Sequence, residues 1–159
     1  MTPDELREDI DIELEAMQII VNELDAIQLD LKRRKPTLRE KTAAAAFLAQ
    51  FYNSVENILK RISLFCSISL PTGETWHVDL FKLFNEPNNS DLPLLLDDEL
   101  ALALSPYRRF RHVAFHSYGF ELDWDRMAEG VEQVGTIFER FKANLNDYLK
   151  TIDNRSNRP

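Results

Sequence analysis

Glycine is scarce in this sequence, at 4 of 159 residues. A sheet built on tight hairpins, or a glycine-fingerprinted nucleotide fold, would lack its usual turn residues, which excludes both as the main architecture. Cysteine occurs once, as Cys66, so no internal disulfide framework exists. Long apolar runs are missing as well. The longest, Ala43 to Ala49, falls far short of the roughly 20 residues that span a bilayer. Positive charge is in deficit: 19 Lys and Arg face 27 Asp and Glu, for a net charge of −8. That balance excludes a broad basic surface that coats nucleic acid, so any contact with RNA or DNA must be local. The opening Met1-Thr2-Pro3-Asp4-Glu5 is acidic where a secretory signal would be basic and then apolar. A soluble protein of the reducing cytoplasm is expected, with no membrane contact and no cofactor.

What remains is a helix-forming composition, 44% hydrophobic and 29% charged, of a length that suits one domain. That domain is expected over residues 1–153, with a disordered polar tail over 154–159. Thr2-Pro3-Asp4-Glu5 combines a capping threonine, a proline in the first helical turn and a glutamate three residues after the cap. Leu6, Ile10, Leu14, Met17, Val21, Leu24 and Leu31 then follow in helical register, which predicts an amphipathic helix to about Arg34. Lys32-Arg33-Arg34-Lys35 would sit at the negative end of its dipole, with a phosphate contact as the other reading, and Pro36 would stop it.

Thr37-x-x-Glu40 repeats the capping box and opens a second helix expected to reach about Leu70. Phe47, Phe51, Val55, Ile58, Ile62 and Phe65 form one apolar stripe. Leu48, Tyr52, Leu59 and Cys66 form a neighbouring one, which leaves Asn53, Glu56, Asn57 and Lys60 as the polar side. So broad an apolar surface fits a helix central to a bundle or shared with a second subunit. Between Pro71 and Leu96 the pattern breaks into a short helical piece over Val78 to Phe84, then turns at Glu86-Pro87-Asn88-Asn89-Ser90 and Leu92-Pro93. Asp97-Asp98-Glu99 opens another helix, Ser105-Pro106 predicts a kink or restart, and the restarted piece runs from Tyr107 to Tyr118 with Gly119 to close it. A last helix is expected from Trp124 to Ile152. The class is therefore all-α: an antiparallel four-helix bundle with a short extra helix and loop between the second and third main helices.

Arginine clusters once, in Tyr107-Arg108-Arg109-Phe110-Arg111-His112-Val113-Ala114-Phe115-His116-Ser117-Tyr118, which also holds two of the three histidines. At about 100° per residue, Tyr107, Phe110, Val113 and Ala114 share one arc; Arg111, Arg108, His112, His116 and Arg109 share the opposite one, with Phe115 among them. Tyr118 returns close to the bearing of Arg111. Such a strip is either a solvated face or a phosphodiester site. Guanidinium holds two phosphate oxygens through its planar fork, and imidazole moves a proton near neutral pH. RNA supplies its own nucleophile, since deprotonating a ribose 2′-hydroxyl permits attack on the adjacent phosphorus with no bound water or metal. His112-x3-His116 also has the spacing of a shared zinc, but no glutamate follows His112, and a third ligand would have to come from Asp123 or Asp125.

Arg111-His112-Val113-Ala114-Phe115-His116-Ser117-Tyr118 resembles the Arg-x4-His-x-Tyr motif of the HepT-like ribonuclease toxins in the HEPN superfamily, with His112 in the polar slot after the arginine. Phe51-Tyr52-Asn53-Ser54-Val55-Glu56-Asn57-Ile58-Leu59-Lys60-Arg61-Ile62 is similar to their second-helix signature. The resemblance implies a bundle that forms a homodimer with two motif copies facing one cleft. It also implies a metal-independent endoribonuclease acting on RNA, with tRNA as the expected class. By resemblance, Arg111 and His116 are catalytic, the first on the scissile phosphate and the second in proton transfer. His112, Arg108, Asn53 and Glu56 are supporting or RNA-binding residues. Tyr118 matches the tyrosine that a cognate minimal nucleotidyltransferase antitoxin modifies with AMP in type VII-like pairs.

Bland readings stand beside these. Glu56 reads equally as a solvated or salt-bridged residue and as part of the cleft. Trp76 and Trp124 read as packing residues, Phe115 as an interface residue and Cys66 as a small core residue. The alternative for the whole chain is a non-catalytic bundle that binds a nucleotidyltransferase and presents a substrate to it.

Overall fold

A computed structural model describes residues 1–88 and 91–157. The chain folds as α1 (Pro3–Asp30), α2 (Leu38–Phe65), α3 (Trp76–Asn85), α4 (Asp98–His116), a 3₁₀ turn (Gly119–Glu121) and α5 (Trp124–Ser156), with no strand among the described residues. Both threonine caps form as reciprocal boxes. Thr2 Oγ1 accepts from the Glu5 amide at 3.2 Å while Glu5 accepts from the Thr2 amide at 2.7 Å, and Thr37 and Glu40 repeat the exchange at 3.2 and 3.0 Å.

The α1 to α2 connection departs from the expected one. α1 stops at Asp30, four residues before Arg34, and the basic run lies beyond the helix. Arg34 is drawn instead to the start of α2, where its two terminal nitrogens meet both oxygens of Glu40 at 2.6 and 2.9 Å. That fork, followed by the Thr37 amide, holds the Glu40 carboxyl down at about 2. α2 ends at Phe65 rather than near Leu70. There Ser67 takes φ 58°, and the Ile68 amide reaches back to the Ser63 carbonyl at 2.8 Å while Ser67 reaches Leu64 at 3.1 Å. This pairing is the Schellman ending, with serine in the position that favours glycine.

α4 runs through Pro106 as one helix rather than restarting there. Pro106 and Leu102, the residue whose carbonyl loses its helical donor, are both exposed, so water can replace the missing bond. The helix ends at His116, with Ser117 extended, so Tyr118 leaves the helix and does not share the bearing of Arg111. At the other end of the chain, α5 continues through Asn154 and Arg155 to Ser156, past the expected end at Ile152. Asp153 pairs with Arg7 at 2.6 Å there, and the Ser156 hydroxyl donates to the Ile152 carbonyl at 3.1 Å. Residues 158–159 of the expected tail, and 89–90 of the expected turn, lie outside the described residues.

Side-chain pairings set the helix directions. Arg61 near the end of α2 meets Asp9 near the start of α1 at 2.8 Å, and Arg7 at the start of α1 meets Asp153 at the end of α5. Along α4 and α5, Asp97 meets Arg140 at 3.2 Å while Tyr107 donates to the Gly130 carbonyl at 2.6 Å, so the two helices run in opposite directions. Each long helix thus lies antiparallel to its neighbours around the ring α1, α2, α4, α5, and α2 and α5 also touch across it. Phe51, Phe138, Phe141 and Leu145 fill the centre, and α3 covers the α2–α4 side through Leu80, Phe81 and Phe84. Phe51 packs on Tyr107 with ring centroids 5.6 Å apart and meets Phe138 edge-on at 6.4 Å.

Replacing Ser67 by glycine removes the steric cost of the left-handed turn. Ser67→Gly is expected to stabilise the fold by about 1 kcal/mol, seen in thermal unfolding as a midpoint raised by about 2–4 °C; an unchanged or lowered midpoint contradicts the assignment.

Candidate functional site

The second half of α4 carries the cations, but the helix is rotated relative to the hydrophobic arc. Arg108 and Arg111 are half-buried on the inward edge beside Tyr107 and Ala114, whereas Val113, expected inside, is exposed. The cause lies on α2, where two acceptors wait for a guanidinium. Arg111 Nε donates to Asn53 Oδ1 at 2.5 Å, and Nη1 stands 3.6 Å from Glu56 Oε1. Glu56 is 2% exposed and therefore not on a solvated side of α2. It continues the stripe of Tyr52, Leu59 and Ser63, all buried, so its charge enters the bundle with the core residues.

A third partner comes from α3, whose start places Trp76 and His77 over this pair. His77 Nδ1 is 2.5 Å from Glu56 Oε2, and Arg111 Nη1 lies against the imidazole, 2.7 Å from Nε2 and 2.9 Å from Nδ1. The Trp76 ring stacks on the His77 imidazole at 3.4 Å between centroids, with the Lys60 ammonium 4.3 Å and the Arg111 guanidinium 5.9 Å from the indole. Behind them, the Tyr52 hydroxyl and Arg108 Nε are buried without a hydrogen-bond partner among the described residues. Burial pushes the Tyr52 hydroxyl up, the Glu56 carboxylate adds to the rise, and Arg108 and Arg111 oppose it.

In front of the network a cavity of about 450 Å³ opens between α3 and the end of α4, lined by Arg108, Arg109, Arg111, His77, His112 and His116. The His112 and His116 rings lie 4.3 Å apart, and Phe115, 60% exposed, carries the Arg111 guanidinium 5.5 Å from its ring centroid. Of the residues expected at the site, Arg111, His116, His112 and Arg108 line this cavity, while Asn53 and Glu56 stand behind Arg111 as its partners. Asp123 and Asp125 belong to the start of α5, where Asp123 accepts from the Asp125 amide at 3.0 Å. Among the described residues no three His, Cys, Asp or Glu side chains gather to hold a metal ion.

A family model described as HepT-like protein matches residues 43–152, more than half of the chain. The chain belongs to the HepT-like family. The match spans most of α2 and all of α3, α4 and the 3₁₀ turn, so every residue of the network and of the cavity falls inside the HepT-like region. Neither a curated protein nor a solved structure matches the chain.

Two further features complete the HepT-like surface. Tyr118 and Phe120 are 72% and 70% exposed and stack nearly parallel, with centroids 5.2 Å apart. Their turn is fixed by the Tyr118 amide donating to Glu121 Oε1 at 3.0 Å, and Gly119 lies so close to the Thr42 side chain of α2 that a Cβ at that position would force either that side chain or the turn to shift. On the other side of α4, facing α5, a groove of about 730 Å³ is lined by apolar residues including Leu102, Phe110, Val113 and Met127. This larger concavity also carries Glu99, Arg126, Glu129 and Arg140, charges of both signs, whereas the smaller one gathers three arginines and three imidazoles with Glu74 as its one carboxylate.

His77 was missed as a site residue because its segment reads as weakly patterned. The signal is nonetheless present: His77 stands one turn ahead of Leu80 and Phe81, in register with Phe84, which puts it on the face of α3 that docks. Removing the central charge should be costly. Glu56→Ala is expected to destabilise the fold by roughly 2–3 kcal/mol, below the 3–5 of a fully buried pair because Arg111 and His77 keep partial contact with water. Denaturant unfolding beside the parent measures it, and a change under 0.5 kcal/mol would count against the network.

Proposed function

We propose that this HepT-like chain is a metal-independent endoribonuclease, the toxin of a pair whose antitoxin is a minimal nucleotidyltransferase, with tRNA as its substrate class. The observation that carries the proposal is the 450 Å³ cavity, in which Arg111 and His116 stand among six cationic or imidazole side chains on an otherwise acidic protein. An RNA phosphate is the ligand such a lining suits, because the guanidinium groups match phosphate oxygens and the imidazoles exchange protons near neutrality.

In this reading His116 takes the proton from the ribose 2′-hydroxyl. The 2′-oxygen forms a bond to phosphorus, the bond to the 5′-oxygen breaks, and a proton returns to that leaving oxygen. The products are a 2′,3′-cyclic phosphate and a 5′-hydroxyl. Arg111 stabilises the charge that builds on the phosphorane oxygens, and His112 and Arg108 hold the neighbouring backbone. A second copy of the chain completes the cleft. The exposed apolar residues of α4, Leu102, Val113 and Phe115, together with the groove against α5, support a homodimer. Tyr118, exposed and outside the helix, is open to an enzyme that attaches AMP to its hydroxyl, and the added phosphate would bring negative charge toward a site built for RNA. The cytoplasm, where tRNA is found, is the compartment this reading requires.

Purified protein is expected to cleave total tRNA in excess EDTA, and His116→Ala to lose about 10²–10⁴-fold of the rate. Cleavage that disappears with EDTA, or survives in the variant, overturns the mechanism. No cleavage by a dimeric parent of unmodified mass favours instead a bundle that presents substrates to a nucleotidyltransferase. Tyr118→Phe is expected to keep cleavage but to escape inhibition when the nucleotidyltransferase and ATP are added. Continued inhibition of that variant would mean that complex formation alone silences the enzyme.

A further inference from the structure

Of the exposed apolar residues on α4, Leu102 and Val113 line the groove against α5, whereas Phe115 lines the cavity on the other side of the helix. A single exposed phenyl ring is ordinary on a protein surface; the surroundings of this one are not. Phe115 stands one turn after Arg111, and the guanidinium lies over its ring, 5.5 Å from the centroid. Asn53 and Glu56 hold that guanidinium from α2, so the ring has a tethered cation for a neighbour while 60% of the residue stays open to water. His112 and His116 line the same cavity beside it. A phosphate-binding group and an open aromatic surface therefore share one rim.

We propose that Phe115 is a nucleobase platform, on which a base of single-stranded RNA stacks while the phosphate beside it is held by Arg111. The inference rests on reading the cavity as the ribonucleolytic site. In a nucleotide, base and phosphate hang from one sugar, so a phosphate taken by Arg111 brings a flanking base toward the side chain one turn further along the helix. The ligand class is a single strand or a loop, because a base inside a duplex already has neighbours on both faces. Every base presents a π-face, so Phe115 contributes affinity and placement without reading sequence.

The other aromatic groups nearby do not offer the same surface. Trp76 is engaged, with His77 stacked on it at 3.4 Å between centroids and the Lys60 ammonium 4.3 Å from the indole. Tyr118 and Phe120 stack on each other and are not among the residues that line the cavity. On a chain of net charge −8, attraction for RNA is limited to this local cluster of cations. Stacking on Phe115 adds affinity that does not depend on counterion release, and it holds the nucleotide by a second point besides its phosphate.

The test compares Phe115→Leu, apolar but without a π-face, and Phe115→Tyr, which keeps one, each combined with His116→Ala so that RNA stays whole. Fluorescence anisotropy measures binding of a labelled single strand of about eight ribonucleotides and of a ribose-phosphate strand of equal length that lacks bases. With Phe115 present, the strand with bases should bind about 5- to 100-fold more tightly than the strand without, and the ratio should persist as salt is raised. Phe115→Leu should bring the two strands level by weakening only the first, and Phe115→Tyr should keep the difference. A Phe115→Leu protein that retains the parental ratio, weakens both strands alike, or falls from dimer to monomer in sedimentation overturns the platform, as does a parent that binds neither strand. With His116 restored, Phe115→Leu should raise KM for tRNA cleavage by about 5- to 100-fold and leave kcat nearly unchanged. Phe115-dependent binding by a parent that cuts no RNA supports the platform and overturns the ribonuclease reading. Cleavage by a parent that binds both strands equally does the reverse.

Discussion

One buried carboxylate organises the functional end of this molecule. Glu56 sits on α2 among core side chains, where an unpaired charge would be several kcal/mol out of balance. Its two oxygens face partners from two other elements: His77 on α3 and Arg111 on α4. Neither element needs to be covalently close to α2, yet each is fixed by the same charge. The hydrophobic face of α3 decides that this helix docks on the bundle, but Glu56 decides how its first turn is set. The cavity between α3 and α4 exists because both of its walls are tied to one group behind it.

The two halves of α4 meet the bundle by different means. Before Pro106 the helix is fastened by ordinary capping and ion pairing: Asp97 accepts from the Leu100 amide at 2.9 Å and from Asn144 and Arg140, and Glu99 pairs with Arg140. The Leu100 amide, then Asn144 and Arg140, hold the Asp97 carboxyl below its usual range. At the centre, Tyr107 seals the helix to α5 through its hydroxyl, whose pKa burial pushes up with Glu129 adding. Past Tyr107 the contacts become polar and cationic, with aromatic rings supporting guanidinium groups rather than burying them. Of these guanidinium groups, Arg111 finds its acceptors on α2, within the bundle, while Arg108 Nε is buried with no hydrogen-bond partner among the described residues.

Most of the fold was written in local signals. Both threonine capping boxes form, the α5 stripe buries in full, the α1 and α2 stripes bury apart from the half-buried Leu14, Leu31, Phe47, Phe65 and Cys66, and the short helix in the 71–96 segment is present. Some departures come from charges whose partners lie outside their own helix, while those at Ser67, Pro106, Tyr118 and the end of α5 do not. Lys32 to Lys35 looked like a helix end, but Arg34 answers to Glu40. Arg111 looked outward on a hydrophobicity wheel, but Asn53 and Glu56 turn it inward. Glu56 itself fills the gap between Tyr52 and Leu59 in a stripe that was otherwise read correctly, and only its charge disguised it as surface. Membership of the HepT-like family was carried by the motif residues. The part played by His77 was not, since it belongs to α3 and emerges only when three helices meet.

Pro106 gives this division of α4 a dynamic meaning. A helix missing one hydrogen bond at its midpoint need not open as a unit. The first half shares its fate with α5 and the aromatic core, so its amides should exchange with solvent only when the whole bundle unfolds. The second half, where Phe110 and Ala114 are only partly buried and Arg111 reaches Glu56 and His77, can open together with α3 at lower free energy. The cation-bearing turns, the imidazole above them and the short helix that supplies it thus form one cooperative patch on a more durable frame. Such a patch can rearrange without the bundle having to yield.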